Sequence, residues 1–289
     1  MKIDCVVANA VRLGESPIWS SSEQALYWVD ARAPRIYRLD PSTSAVTSCD
    51  VASTVGCIAF RASGGLVAAT ADGVFAIDFA SGAATLLAAA DGEPATNRFN
   101  DGRCDRRGRL WSGTMSDASR DPLGSLYRID ADCSIHKMRG DIVVPNSIAF
   151  SPDDRTMYFA DTYRLQILAY SFSIDDGAIS SPRLVADLTN GRGRPDGSAV
   201  DADGCLWNAA YAGGRITRYT PRGEIDRVIE LPVTQPTCCC FGGPTLDTLY
   251  VTSATQRLTS EALAAEPLAG GLFAISVGVC GLPEAAFAG

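Results

Sequence analysis

Pro145-Asn146-Ser147-Ile148-Ala149-Phe150-Ser151-Pro152-Asp153-Asp154-Arg155-Thr156-Met157-Tyr158 decides the architecture. It reads as a short apolar strand, a polar turn at Ser151-Pro152-Asp153-Asp154, and a second strand carrying the apolar pair Met157-Tyr158. The same plan recurs with first strands at 15–19, 56–60, 100–104, 196–200 and 237–241. The matching pairs are Tyr27-Trp28, Val67-Ala68, Leu110-Trp111, Leu206-Trp207 and Leu249-Tyr250. A third segment follows in each unit, such as Ile36 to Leu39, Ile167 to Tyr170 or Leu272 to Ile275, and alternates with period two.

Successive units start at residues 15, 56, 100, 146, 196 and 237, a spacing of 41 to 50 residues. That is the length of a four-stranded propeller blade. We therefore expect an all-β chain, with residues 1–289 forming one domain: a six-bladed β-propeller of four-stranded antiparallel blades. The alternative is a β-sandwich with accidental spacing, and six units in register argue against it. The stretch Lys2 to Val7 precedes the first unit and is predicted to supply the outer strand of the last blade, closing the ring.

Composition narrows the function. Hydrophobic content of 46% and charged content of 20% are those of a soluble globular protein. A net charge of −8 with lysine only at Lys2 and Lys137 offers no basic stripe, so neither nucleic acid nor an anionic membrane is an expected partner. The start Met1-Lys2-Ile3-Asp4-Cys5 has no apolar core or cleavage signal, and the ten cysteines form no CxxC pair. Reduced thiols in the cytoplasm are the expectation, and a closed ring without free edges predicts a monomer.

If the units are arranged radially, Glu15, Gly56, Asn100, Asn146, Asp196 and Thr237 occupy equivalent innermost positions and converge on one axis. Two carboxylates and two amides there suit one divalent cation: Ca, Mg or Mn, with Zn or Fe(II) also open. Each motif alone is an ordinary turn; the shared register is what makes a site.

Four stretches carry a resemblance to a known family. Leu13-Gly14-Glu15-Ser16-Pro17, Asn97-Arg98-Phe99-Asn100-Asp101-Gly102, Pro145 to Asp153, and Pro195-Asp196-Gly197 resemble the signatures of the gluconolactonase/regucalcin (SMP-30-like) family. The likeness runs from about Gly14 to Ile275, and Leu263 to Ile275 is similar to bacterial sugar-acid lactonases in particular. It implies one catalytic metal and hydrolysis of an aldonolactone. By position it implies Glu15, Asn146 and Asp196 as metal ligands, with Asp196 also the general base. Arg98 and Asn100 would contact substrate hydroxyls, with Asp101 beside them. Gly113-Thr114-Met115 is followed by Ser116-Asp117 rather than by the glutamate of some members, a departure that bears on the substrate.

Other chemistry is excluded or weak. One histidine, His136, cannot build a Ser-His-Asp triad or a histidine-rich zinc site. The glycine pairs Gly213-Gly214 and Gly270-Gly271 lack the surroundings of a phosphate loop. Cys238, Cys239 and Cys240 alternate in direction on a strand and cannot share one ion. Cys57 and Cys238 are expected near the channel, where they would make activity sensitive to thiol reagents. The four tryptophans are expected between blades. Competing functions are a non-catalytic calcium- or ligand-binding propeller and a promiscuous phosphotriesterase.

Overall fold

Alternating apolar and polar residues become strands because one face of each can be buried against a neighbouring blade. The computed structural model, which describes residues 2–8 and 11–289, contains six four-stranded antiparallel sheets. The innermost strands are Gly14–Ser20, Val55–Phe60, Asn97–Cys104, Pro145–Phe150, Arg194–Val200 and Pro236–Gly242. Each packs against the innermost strands of the blades before and after it, and the sixth packs against the first. This closed ring is the six-bladed β-propeller expected from the repeat. One short helix, Ser260–Ala265, is capped by the Thr259 hydroxyl. Among the described residues no helix is long and apolar enough to cross a membrane.

The ring closes as the sequence implied. Ile3–Val7 pairs antiparallel with Leu272–Ser276, placing Ile3 opposite Ile275 and Cys5 opposite Phe273. The last blade therefore joins both ends of the chain.

The hydrophobic core is distributed. Six clusters of buried side chains lie at the six junctions between neighbouring blades. Trp111 packs with Phe150 and Phe172 of the fourth blade, Trp207 with Phe241 of the sixth, and Trp19 stacks on Tyr250. Two of these indoles are pinned by buried aspartates. Asp105 accepts from Trp111 Nε1 at 2.9 Å and Arg109 Nε at 2.6 Å, and Asp201 accepts from Trp207 Nε1 and Arg218 Nε, both at 2.8 Å. Each carboxylate is fully buried but satisfied, so it orients its tryptophan instead of destabilising the core.

Period-two reasoning predicts uninterrupted inner strands. The structure instead has a register break in all six, between Glu15 and Ile18, Val55 and Cys57, Phe99 and Gly102, Asn146 and Ala149, Pro195 and Ser198, and Pro236 and Cys239. A bulge re-aims the side chain beside it. Ser16 and Ser147, each following a candidate ligand, take φ of 48° and 57°, the left-handed values such a kink demands. At the equivalent position of the second blade, a Cβ on Gly56 would sit 2.4 Å from the Phe99 carbonyl oxygen, so only glycine fits.

The far end of the channel is covered by the C-terminal segment. Phe287 is fully buried and exchanges backbone hydrogen bonds with Phe60 and Ala62, while Glu284 pairs with Arg103 at 2.6 Å. The chain's own tail thus leaves the opposite end, where the inner strands begin, as the open face.

Candidate metal centre

At the leading ends of the inner strands, one cavity is lined by Glu15 from the first blade, Arg98 and Asn100 from the third, Asn146 from the fourth and Asp196 from the fifth. The bulges explain why Glu15, Asn100, Asn146 and Asp196 face inward together: each lies at the register break of its strand, while Arg98 lies just before the break, opposite Met115.

Asn146 is held in one orientation. Its Nδ2 donates to Thr162 Oγ1 at 2.7 Å, and that hydroxyl donates onward to the Pro195 carbonyl at 2.8 Å. Its Oδ1 therefore faces the cavity side, where it accepts from Asn100 Nδ2 at 3.3 Å. Asn100 is itself fixed, with Oδ1 receiving Arg98 Nη1 at 2.9 Å and Nδ2 donating to Pro145 O at 3.0 Å. Asp117 anchors the far end by accepting from Arg98 Nε at 3.0 Å and Arg32 Nη1 at 2.8 Å. The chain Asp117–Arg98–Asn100–Asn146–Thr162 is a relay of orientation running from the third blade to the fourth.

The carboxylates are not neutralised this way. Neither Glu15 nor Asp196 forms an ion pair among the described residues, and Asp196 is buried. Burial, then the charges of Asp196 and Asp101, hold Glu15 well above the usual carboxylate range. Burial, then Asp101, does the same for Asp196. Asp101 does not line the cavity, although its place beside Asn100 suggested a substrate contact. It lies deeper in the channel, where its Oδ2 accepts from Ile148 N–H at 2.9 Å, and burial pushes its pKa up to about 6. Two buried carboxyl groups, each raised further by the charge of Asp101, are what a divalent cation would relieve.

The donor chemistry fits such an ion. Two carboxylates and an amide oxygen are hard ligands, and the surrounding hydrogen bonds fix the amide as a ligand's supporting shell does. Among the described residues no three His, Cys, Asp or Glu are grouped for metal binding, so the amide of Asn146 is needed to complete the set. Cys238 does sit by the channel, while Cys57 lies buried against Ser112 Oγ at 3.5 Å; burial pushes the Cys57 thiol up to about 12 and raises Cys238 as well. Protonated, buried thiols are inert, which removes the ground for expecting sensitivity to thiol reagents. No tryptophan lines the cavity.

Residues 13–255 match the model of the SMP-30/gluconolactonase/LRE-like region. The chain belongs to this family. It is 39% identical over 288 residues to 6-deoxy-6-sulfogluconolactonase of Pseudomonas putida, covering 99% of each chain. Regucalcin of Xenopus laevis is 36% identical over 296 residues, covering 100% of this chain and 99% of its own. The crystal structure of regucalcin from Agrobacterium tumefaciens, described as a calcium-binding protein, superposes with a TM-score of 0.94 at 31% identity, covering 98% of this chain and 96% of that one. Membership accounts for the six blades and for two relatives whose names mention a lactone and calcium.

Several residues around the cavity were not singled out from sequence: Thr162, Tyr163, Arg32, Arg120, Arg194 and Arg257. Arg194 lies two residues before Asp196 on the same strand, and both line the cavity although the strand's register breaks after Pro195. Thr162 follows the end of the strand Thr156–Asp161, and Arg120 and Arg257 lie in loops, where no periodicity reports direction.

Metal binding should be visible in stability. The raised carboxyl pKa values mean that the metal-free fold binds protons more tightly than the unfolded chain. Their contribution to stability is therefore greatest at low pH and is lost as pH rises, from about pH 4 to about 6 for Asp101, with Glu15 and Asp196 shifted in the same direction. A divalent ion at 100 times its Kd should raise Tm by about 4 °C near pH 7.5, from about 2.7 kcal/mol of linkage, and by much less at pH 5. Differential scanning calorimetry with and without EDTA checks this; equal Tm values at pH 7.5 would count against an ion at these carboxylates.

Proposed function

We propose that the protein hydrolyses a sugar aldonolactone, a pentono- or hexonolactone, to the open-chain acid, using one divalent cation held by Glu15, Asn146 and Asp196. The observation that supports this most is the convergence of those three oxygen donors from three blades at the open end of the channel, with no cation among the described residues in an ion pair with either carboxylate.

A lactone is an ester, so opening it needs an activated water and relief of the charge that develops on the carbonyl oxygen. A divalent ion in this donor set supplies the second of these by polarising an ester carbonyl. Asp196 takes the proton from the water as the water oxygen adds to the carbonyl carbon, and returns it to the ring oxygen as the ester C–O bond breaks. Arg98 spends Nε and Nη1 on protein acceptors and keeps Nη2 for a sugar hydroxyl. Asn100 Oδ1 has a second lone pair for another hydroxyl while its Nδ2 steadies Asn146. The covered far end of the channel leaves one mouth for substrate and product.

The relative described as a calcium-binding protein favours a second reading, a propeller that binds the ion without turnover. Proton release separates the two. EDTA-stripped protein is tested on xylono-, arabinono-, galactono- and gluconolactone, with the spontaneous rate subtracted and Ca, Mg, Mn, Zn and Fe(II) added in turn. The lactonase reading expects metal-restored turnover of at least one lactone. Background rates throughout would leave a binding protein.

A further inference from the structure

Arg120, Arg194 and Arg257 line the same cavity as the candidate ligands and gather around one ring. The guanidinium carbons of Arg194 and Arg120 lie 4.8 Å and 5.1 Å from the centroid of Tyr163, and Arg257 Nη1 donates to its hydroxyl at 3.3 Å. Although burial opposes it, these neighbouring cations bring the phenol below its ordinary pKa.

None of the three has a carboxylate partner among the described residues, whereas Arg32 and Arg98 in the same wall share Asp117. Buried arginines elsewhere do find one, as Arg109 does with Asp105 and Arg218 with Asp201. What sets these three apart is that they share one cavity wall and one tyrosine ring, with no carboxylate among the described residues to balance them. Arg257 is also held at φ 64°, a backbone state that a residue with a side chain seldom adopts. Like charges assembled and held in this way are a binding site for an anion.

The placement relative to the candidate ligands bears on which part of the substrate is read. Arg194 precedes Asp196 by two residues on one strand, roughly 6 to 7 Å apart along it. That is the span of a sugar ring. A lactone with its carbonyl at Asp196 is therefore long enough for its far carbon to reach the arginines in the same cavity wall.

We infer that Arg120, Arg194 and Arg257 form an anion subsite, and that the preferred lactone carries a fixed negative group (sulfonate, phosphate or carboxylate) on the carbon farthest from its carbonyl. The inference rests on the lactonase reading and narrows its substrate class.

The test compares the Mn²⁺-loaded protein on gluconolactone and on its counterparts bearing a sulfonate, a phosphate or a carboxylate at the terminal carbon. We expect kcat/KM at least about tenfold higher for one charged lactone, and the three arms identify which anion it is. Arg194→Gln and Arg257→Gln should each lower kcat/KM on that lactone by about 10- to 100-fold, against at most about threefold on gluconolactone. Arg194→Lys, which keeps the charge, should recover part of the loss. Calorimetric titration with gluconate and phosphogluconate reads the subsite without turnover, and the phosphorylated acid should bind at least about tenfold more tightly. Turnover without preference for any charged lactone, and equal binding of the two acids, would overturn the subsite and leave the lactonase reading standing. Tighter binding of the phosphorylated acid with no lactone turned over would support the subsite and sink the lactonase reading.

Discussion

Asp196→Asn is expected to reduce kcat on any accepted lactone by about 10³-fold, the scale of removing a positioned general base. The substitution preserves size and keeps one oxygen that can still face the cavity, so what it removes is proton affinity and charge. Asp196 is buried at the start of the fifth inner strand, where Ser147 Oγ and Asn208 Nδ2 hold its backbone carbonyl at 2.6 Å and 2.9 Å. Those contacts are untouched by the change, and the fold should survive it. Replacing this buried carboxyl with an amide should even stabilise the metal-free protein slightly, since burial and Asp101 raise the Asp196 pKa. Assays at saturating metal separate the base from the ligand. A variant within tenfold of wild type under those conditions would remove Asp196 from the role of base.

Removal of residues 1–8 is expected to abolish or severely weaken folding. Ile3–Val7 is the outer strand of the sixth blade, and without it Leu272–Ser276 becomes a bare edge. Val7 belongs to the cluster between the sixth and first blades, and Ile3 and Cys5 pack on the cluster between the fifth and sixth. The deletion thus loosens two of six junctions and removes a run of ladder hydrogen bonds worth roughly 1 kcal/mol each. Total stabilities of about 5–15 kcal/mol leave little room for that, and the exposed edge invites aggregation. We expect insoluble protein, or a Tm at least about 10 °C lower. A truncated protein melting within 2 °C of the full chain would show that the ring does not depend on this strand.

The repeat made the fold legible. Six apolar pairs at similar spacing, each behind a polar turn, define strands whose direction and number follow from period two alone. The bulges were not legible, because a bulge is one extra residue that alternation cannot distinguish from a shift of phase. Asp101 illustrates the consequence. Adjacent to Asn100, it looked like part of the same wall, and the break between Phe99 and Gly102 sends it instead to the Ile148 amide deeper in the channel. Glu15, Asn146 and Asp196 could be named because they occupy the same position in different repeats, a signal that survives any local distortion. The relay through Asp117 and Thr162 joins residues whose proximity exists only once the third, fourth and fifth blades are side by side. Arg120 and Arg257 are loop residues brought to Tyr163 by closure of the ring, and nothing in their sequence neighbourhoods marks them.

The central claim, that Glu15, Asn146 and Asp196 hold the ion the hydrolysis uses, is tested most directly by anomalous diffraction from a crystal soaked in Mn²⁺. The account predicts one strong peak at the open end of the channel, about 2 to 2.6 Å from a Glu15 carboxylate oxygen, Asn146 Oδ1 and an Asp196 carboxylate oxygen. A peak at other residues, or no peak from protein whose lactone hydrolysis responds to Mn²⁺, would contradict it.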